Sequence, residues 1–92
     1  SSDLRHYLHQ ALLANPNDAS AMHLLAKLYL TQDEDPEIAE TLARKSANIC
    51  PQLTEYWELL QKALQIQGKD SQALSVYARA NGSKTSADYN RT

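Results

Sequence analysis

Residues that can pack a helix face recur along this 92-residue chain at a constant spacing of 35 positions. Four positions of one helical segment, and the proline before it, have counterparts at this distance. The pairs are Met22 and Trp57, Leu25 and Leu60, Ala26 and Gln61, Tyr29 and Leu64, and Pro16 and Pro51. A period of this length is typical of proteins built from one small helical unit that stacks on copies of itself. The spacing therefore constrains the fold more than any single residue does.

The second helical segment of each unit recurs with an offset of 34 instead. Its matching pairs are Ala39 and Ala73, Ala43 and Tyr77, and Ser46 and Ala80. The difference of one residue predicts a longer loop within the stretch LTQDEDPEI, because loops absorb insertions readily. Small residues in the second segment should let it approach the large residues of the first closely. Tyr77 is expected to wedge between the two helices.

Chain breakers and capping residues predict five helices. They are expected at residues 3–14, 19–31, 36–48, 54–67 and 70–81. Asp18, Asp35 and Thr54 each stand before a helical pattern and are expected to cap it by accepting a backbone N–H. Gly68 is expected to end the fourth helix, and Asn81-Gly82 to end the fifth in the left-handed conformation that glycine tolerates.

The motif Trp57-x2-Leu60-Gln61-x2-Leu64, followed by Ala73-x3-Tyr77-x2-Ala80, resembles the tetratricopeptide repeat. The resemblance covers residues 4–82 and implies an all-α fold, in which antiparallel helix hairpins stack as a right-handed α-solenoid of about two and a half repeats. Gln61 departs from the family's usual glycine, which should re-angle that hairpin. The implied domain spans 1–82. Its parts are the second helix of one repeat at 3–14, whole repeats at 19–53 and 54–82, and then a flexible C-terminal tail at 83–92.

Composition narrows the classes of partner. The net charge of −2 provides no basic field for phosphates, so nucleic acid is not expected to bind. No apolar run approaches the roughly 20 residues that cross a bilayer, so membrane insertion is not expected either. The single Cys50 cannot form an internal disulfide and leaves the compartment open. A cytoplasmic location is favoured, with a periplasmic one or a soluble domain of an anchored protein as alternatives. The start without Met suggests a piece of a longer chain or a processed one.

Chemistry-bearing residues are few. His6 and His9 are three apart on a helix and could share a metal ion with His23 or Cys50, but histidines without a denser ligand cluster are more often surface residues. No residue orients a His–Cys pair for nucleophilic catalysis. We expect no catalytic residue, no metal site and no cofactor.

The resemblance implies that the first helix of each repeat lines a concave face that binds a peptide or helix of another protein. The side of these helices that the core does not use predicts the binding residues. They are Ser20, His23, Leu24, Lys27 and Thr31 in one repeat, and Glu55, Glu58, Leu59, Lys62 and Ile66 in the next. Leu24 and Leu59 beside Lys27 and Lys62 suit a segment with hydrophobic anchors and an acidic residue. The same leucines stand where chaperone-tail binders of the family have Asn, which disfavours that ligand.

The sequence therefore predicts a non-catalytic adaptor or scaffold that docks another protein in a multiprotein complex. An RNA-binding helical repeat is an alternative, since such repeats have a similar length. A targeting or oligomerisation part of a larger enzyme is another. The first helix has no predicted helix before it, so Tyr7, Leu8 or Leu12 is expected to be uncovered and to favour self-association.

Overall fold

The computed structural model describes residues 2–80, and within that range it contains five α-helices and no strand. The helices are α1 (Ser2–Ala14), α2 (Ala19–Thr31), α3 (Pro36–Ile49), α4 (Thr54–Ile66) and α5 (Asp70–Ala80). Their ends differ from the predicted ones by at most one residue. The prediction of an all-α chain is confirmed for the described part. The predicted tail at 83–92 lies outside it.

Two of the three predicted helix caps are present. The Asp18 carboxylate accepts a hydrogen bond from the Ala21 N–H at 3.1 Å, and the Asp35 carboxylate accepts one from the Glu37 N–H at 3.1 Å. The prediction for Thr54 is wrong, because Leu53 occupies the capping position of α4 and no side chain caps this helix. Thr54 already belongs to the first turn, so its hydroxyl does not stand ahead of the unpaired N–H groups.

The turns after α2 and α4 are closed by the same type of backbone hydrogen bond but differ in length. The α2–α3 loop spans residues 32–35 and the α4–α5 loop spans 67–69, so the extra residue lies where the sequence predicts it. The Glu34 N–H donates to the Tyr29 carbonyl, and the Lys69 N–H donates to the Leu64 carbonyl, both at 2.9 Å. These bonds close a helix end around one left-handed residue. That residue is Asp33 in the first turn and Gly68 in the second.

Each helix packs against the next one along the chain, and α2 also contacts α4 directly. Within residues 2–80, no comparable contact joins α1 to α3 or α3 to α5. The radius of gyration is 14.2 Å, compared with about 12 Å for a compact chain of similar length. The helices therefore form an elongated row, 50 × 28 × 16 Å, whose repeated packing is compatible with an α-solenoid.

The core lies where small residues of α3 meet large residues of α4. Ala39 and Ala43 are fully buried, as are Leu60 and Leu64. The indole N–H of Trp57 is satisfied by the Pro51 carbonyl at 2.9 Å. This bond ties α4 to the turn that precedes it and allows a polar aromatic side chain to be buried.

The prediction that Tyr77 wedges into the core is wrong. Its side chain is 54% exposed, whereas the neighbouring Val76 is 7% exposed and packs in the core. The equivalent residue of the previous unit, Ala43, is fully buried because α3 lies between α2 and α4. Among the described helices, α5 packs only on α4, so the face that carries Tyr77 has no helix on it.

Within the described part of the chain, helix α1 is covered on one face only. Leu8 is buried and Leu12 half-buried against α2, so the expectation of an uncovered residue holds for Tyr7, which is 67% exposed. The Arg5 guanidinium lies 4.8 Å from the centre of the Tyr29 ring and pairs with Glu34 at 2.7 Å. These contacts fix α1 on the α2 hairpin. No helix among residues 2–80 is long and apolar enough to cross a membrane.

Candidate functional site

A groove of about 250 Å³ lies between α2 and α4. Six of the ten predicted binding residues line it, two from α2 and four from α4. They are His23, Lys27, Glu55, Glu58, Leu59 and Lys62. Lys62 lies 35 residues after Lys27, and Glu58 lies 35 residues after His23, so each pair has the same position in its own unit. The groove is therefore formed by equivalent faces of two helices.

The floor of the groove is more deeply buried than the sequence predicts. His23 is 6% exposed and Leu59 is 8% exposed. The prediction that Leu24 and Leu59 form one exposed apolar strip is wrong, because Leu59 is buried and Leu24, although 43% exposed, does not line this groove. Leu59 packs in the core around α4, which has α2, the first helix of the preceding unit, beside it. Leu24 has the same position on α2, but no first helix of a further unit lies beside α2 among the described helices.

The His23 ring stacks on the ring of Tyr56, with centroids 4.2 Å apart. Its Nδ1 atom is buried and has no hydrogen-bond partner among residues 2–80. Burial lowers the pKa of His23 below 6.5, nearby Lys27 lowers it further, and Glu55 opposes the shift. The imidazole is therefore neutral near pH 7 and forms part of a polar floor.

Four charged side chains surround this floor. Lys27, Lys62, Glu55 and Glu58 are all exposed, and none of them forms an ion pair or side-chain hydrogen bond with another described residue. The described ion pairs lie elsewhere, at Arg5 and around Glu40. The charges of the groove are thus available to an occupant.

The structure separates the other four predicted residues from the groove. Ser20 and Leu24 line a neighbouring groove of about 220 Å³ between α1 and α2. Thr31 and Ile66 are exposed but are not among the lining residues of either groove.

Sequence reasoning missed two aromatic residues of this region. Tyr56 supports His23, and Tyr7 lines the groove between α1 and α2. The signal that could have pointed to Tyr56 is the 35-residue spacing, which pairs it with Ala21; the structure buries both residues. Tyr7 was expected at an uncovered edge rather than in a groove.

The residues weighed for metal chemistry do not gather in one place. His6 and His9 are exposed on α1, and Cys50 is half-buried at the end of α3. Among residues 2–80, no three His, Cys, Asp or Glu side chains are grouped closely enough to hold a metal ion. The α2–α4 groove offers charged and polar contacts for binding.

No protein-family model matches this chain, and no curated protein is significantly similar to it. The assignment of a function therefore rests on the repeated residues and on the geometry of the grooves.

Proposed function

We propose that this chain is a non-catalytic protein–protein interaction module, which acts as an adaptor or scaffold in a multiprotein complex. Its fold in this proposal is a right-handed, tetratricopeptide-like α-solenoid. The fixed sequence offset supports it, as does the direct contact of α2 with α4 while α3 and α5 stay apart. Helices that meet on one side of a stack and separate on the other produce curvature, and α2 and α4 would then line the concave face.

The single observation that carries the proposal is the α2–α4 groove, which gathers six predicted binding residues. Its walls are helices held by a packed core, so binding requires little ordering of the module itself. An extended peptide or a helix of the partner would lie in the groove, with its polar groups against the four unpaired charges. Leu24, exposed beside the groove, is available for an apolar anchor.

Affinity capture from a lysate of the source organism tests this function. The bait proteins are the wild type, the double variant Lys27→Glu/Lys62→Glu, and Lys45→Glu as a control on an exposed lysine of α3. Circular dichroism must first show equal helicity. We expect the wild type and the control to retain a protein that the double variant loses. This captured protein, once purified, should bind the wild type and the control more tightly than the double variant.

Equal capture by all three baits would contradict binding in the groove. RNA in the eluate would favour the alternative of an RNA-binding helical repeat. The groove carries two carboxylates for its two ammonium groups, which is not the basic surface that RNA backbones require.

We also propose that α1 mediates self-association. Leu4 and Tyr7 are exposed on this helix, which packs only on α2 among the described helices. Sedimentation velocity should show a concentration-dependent dimer that Leu4→Ser/Tyr7→Ser abolishes and that Leu74→Ser on α5 retains. A monomer at all concentrations would contradict this second proposal.

A further inference from the structure

The charges of the α2–α4 groove are segregated by sign along its length. Glu55 and Glu58 lie in the first two turns of α4, and Lys62 lies one turn further along. At about 1.5 Å per residue, Glu58 and Lys62 are separated by about 6 Å along the axis, and Glu55 and Lys62 by about 10 Å. One end of α4 is therefore acidic in the groove and the other is basic.

Helix α2 strengthens the basic end. Loops of four residues join α2 to α3 and α3 to α4, so each pair runs antiparallel and α2 runs parallel to α4. The stack of His23 on Tyr56 sets these two residues at the same level. Lys27 lies one turn beyond His23, which places it at a level between Glu58 and Lys62 and away from Glu55. Along the groove the order of the charges is thus Glu55, Glu58, Lys27 and Lys62, with both lysines beyond both glutamates.

We propose that the segment docked in this groove is charge-polar, with a basic side chain facing Glu55 and Glu58 and an acidic side chain facing Lys27 and Lys62. This inference rests on the proposed function and specifies the chemistry of the partner. The spacing of the groove charges sets the spacing in the ligand. An extended segment advances about 3.3 Å per residue, so its opposite charges stand two or three residues apart. In a helical segment they stand four to seven apart.

The physical reason is desolvation. Exposed ion pairs each contribute little, but an occupant that covers the groove removes water from all four charges. A charge that loses water without gaining a partner is costly. The buried Nδ1 of His23 already lacks a partner on the floor, so the floor does not supply a compensating hydrogen bond from that atom. An occupant with charges of one sign would satisfy one end and repel the other.

Fluorescence anisotropy with three labelled peptides tests the inference. The peptides share length and apolar anchors but differ in charge: one has two Lys separated from two Asp, one has four Asp, and one has four Lys. The proteins are the full chain as wild type, Lys27→Glu/Lys62→Glu, Glu55→Lys/Glu58→Lys, and the quadruple variant that combines them. All four positions are exposed, and equal helicity by circular dichroism confirms that each variant folds.

We expect the wild type to bind the mixed-charge peptide about tenfold more tightly than either single-sign peptide. The first double variant should prefer the four-Lys peptide and the second the four-Asp peptide. The quadruple variant should prefer the mixed-charge peptide again, because its groove is segregated in the opposite sense. Similar affinities of the wild type for all three peptides would overturn the charge inference and leave the binding function standing. No binding of any peptide would overturn both.

Discussion

The rings of His23 and Tyr56 stack across the contact between α2 and α4, with centroids 4.2 Å apart and planes inclined by 11°. This pair joins the first helices of two consecutive units directly under the groove. A polar atom is buried here without a partner, since Nδ1 of His23 forms no hydrogen bond with another described residue. The junction is therefore held by ring packing at the cost of one unsatisfied nitrogen.

His23→Phe should raise the free energy of unfolding by about 1 kcal/mol near neutral pH, because it keeps the stack and removes the unpaired nitrogen. Urea denaturation followed by circular dichroism measures the change. His9→Phe, an exposed position on α1, is the control and should change stability by less than about 0.5 kcal/mol. A loss of stability in His23→Phe would show that the imidazole makes a stabilising polar contact.

The same substitution should remove a pH dependence. The pKa of His23 is lowered in the folded state by burial and then by Lys27, so the unfolded chain takes up this proton first as the pH falls. The wild type should therefore have its full stability above pH 6.5 and lose some as the pH falls below that value. The difference between the unfolding free energies at about pH 7.5 and about pH 5.5 should therefore be smaller for His23→Phe than for the wild type.

Glu40 joins α3 to the turn between α4 and α5. Its carboxylate accepts hydrogen bonds from Lys69 and Gln67 at 2.9 Å and from Arg44 at 3.0 Å. Burial raises the pKa of Glu40, but these three donors outweigh burial and lower it from 4.5 to about 2. Glu40→Gln should therefore destabilise the protein at neutral pH by about 1–2 kcal/mol.

The pH dependence of the stabilisation by the Glu40 carboxylate can be tested by lowering the pH. A lowered folded pKa means that the stabilisation is present above pH 4.5 and is lost as the pH falls from 4.5 to about 2. The difference in unfolding free energy between wild type and Glu40→Gln should shrink across that window. Glu37→Gln, at an exposed position of α3 without a side-chain ion pair to another described residue, is the control and should destabilise the protein less than Glu40→Gln at neutral pH. A constant difference down to pH 2 would contradict the ionic role of Glu40.

Asp33 and Gly68 occupy equivalent positions, 35 residues apart, and both have left-handed backbones, with φ of 53° and 77°. A side chain there carries strain that glycine avoids. Asp33→Gly should stabilise the protein by up to about 1 kcal/mol, and Gly68→Ala should destabilise it by about 1 kcal/mol. A Cβ at Gly68 would have no heavy atom within 4 Å, so the cost would come from the backbone alone. Thermal unfolding should show opposite shifts, and shifts of one sign would contradict this account.

Asp18 and Thr54 were both predicted to cap a helix, but only Asp18 does so, and the pair therefore provides a matched comparison. Asp18→Ala should cost about 1 kcal/mol because it removes the acceptor for the Ala21 N–H. Thr54→Ala should cost less than about 0.5 kcal/mol, since no side chain caps α4. Urea denaturation of both variants provides the comparison, and equal losses would show that the Thr54 hydroxyl does stabilise the start of α4.

Local rules and the repeat spacing together predicted the helix ends and the loop with the extra residue. They failed where equivalent positions have unequal neighbours. Tyr77 matches Ala43 in sequence, yet α5 has no described helix on the face where α4 covers α3. Leu24 and Leu59 also match in sequence, yet Leu59 is buried in the core around α4 while Leu24 on α2 is 43% exposed. A period gives the pattern of a unit, while burial depends on which other units surround it.

The sequence predicted the charged residues of the candidate site but not the burial of the residues beneath them. Lys27 and Lys62 are aligned by the period, and the groove contains both. The burial of His23 could not be predicted, because it depends on Tyr56, a residue of another helix brought near by tertiary packing. Sequence patterns on one helix do not contain that information.

The most direct test of the central claim is a two-dimensional ¹⁵N NMR spectrum of the full chain, recorded with and without the segment of the captured partner that binds it. Docking in the groove predicts that the largest shift changes belong to backbone amides of α2 and α4 around His23, Lys27, Glu58 and Lys62. Changes confined to α1 around Tyr7, or to α5 around Leu74, would contradict the assignment of the groove as the binding site.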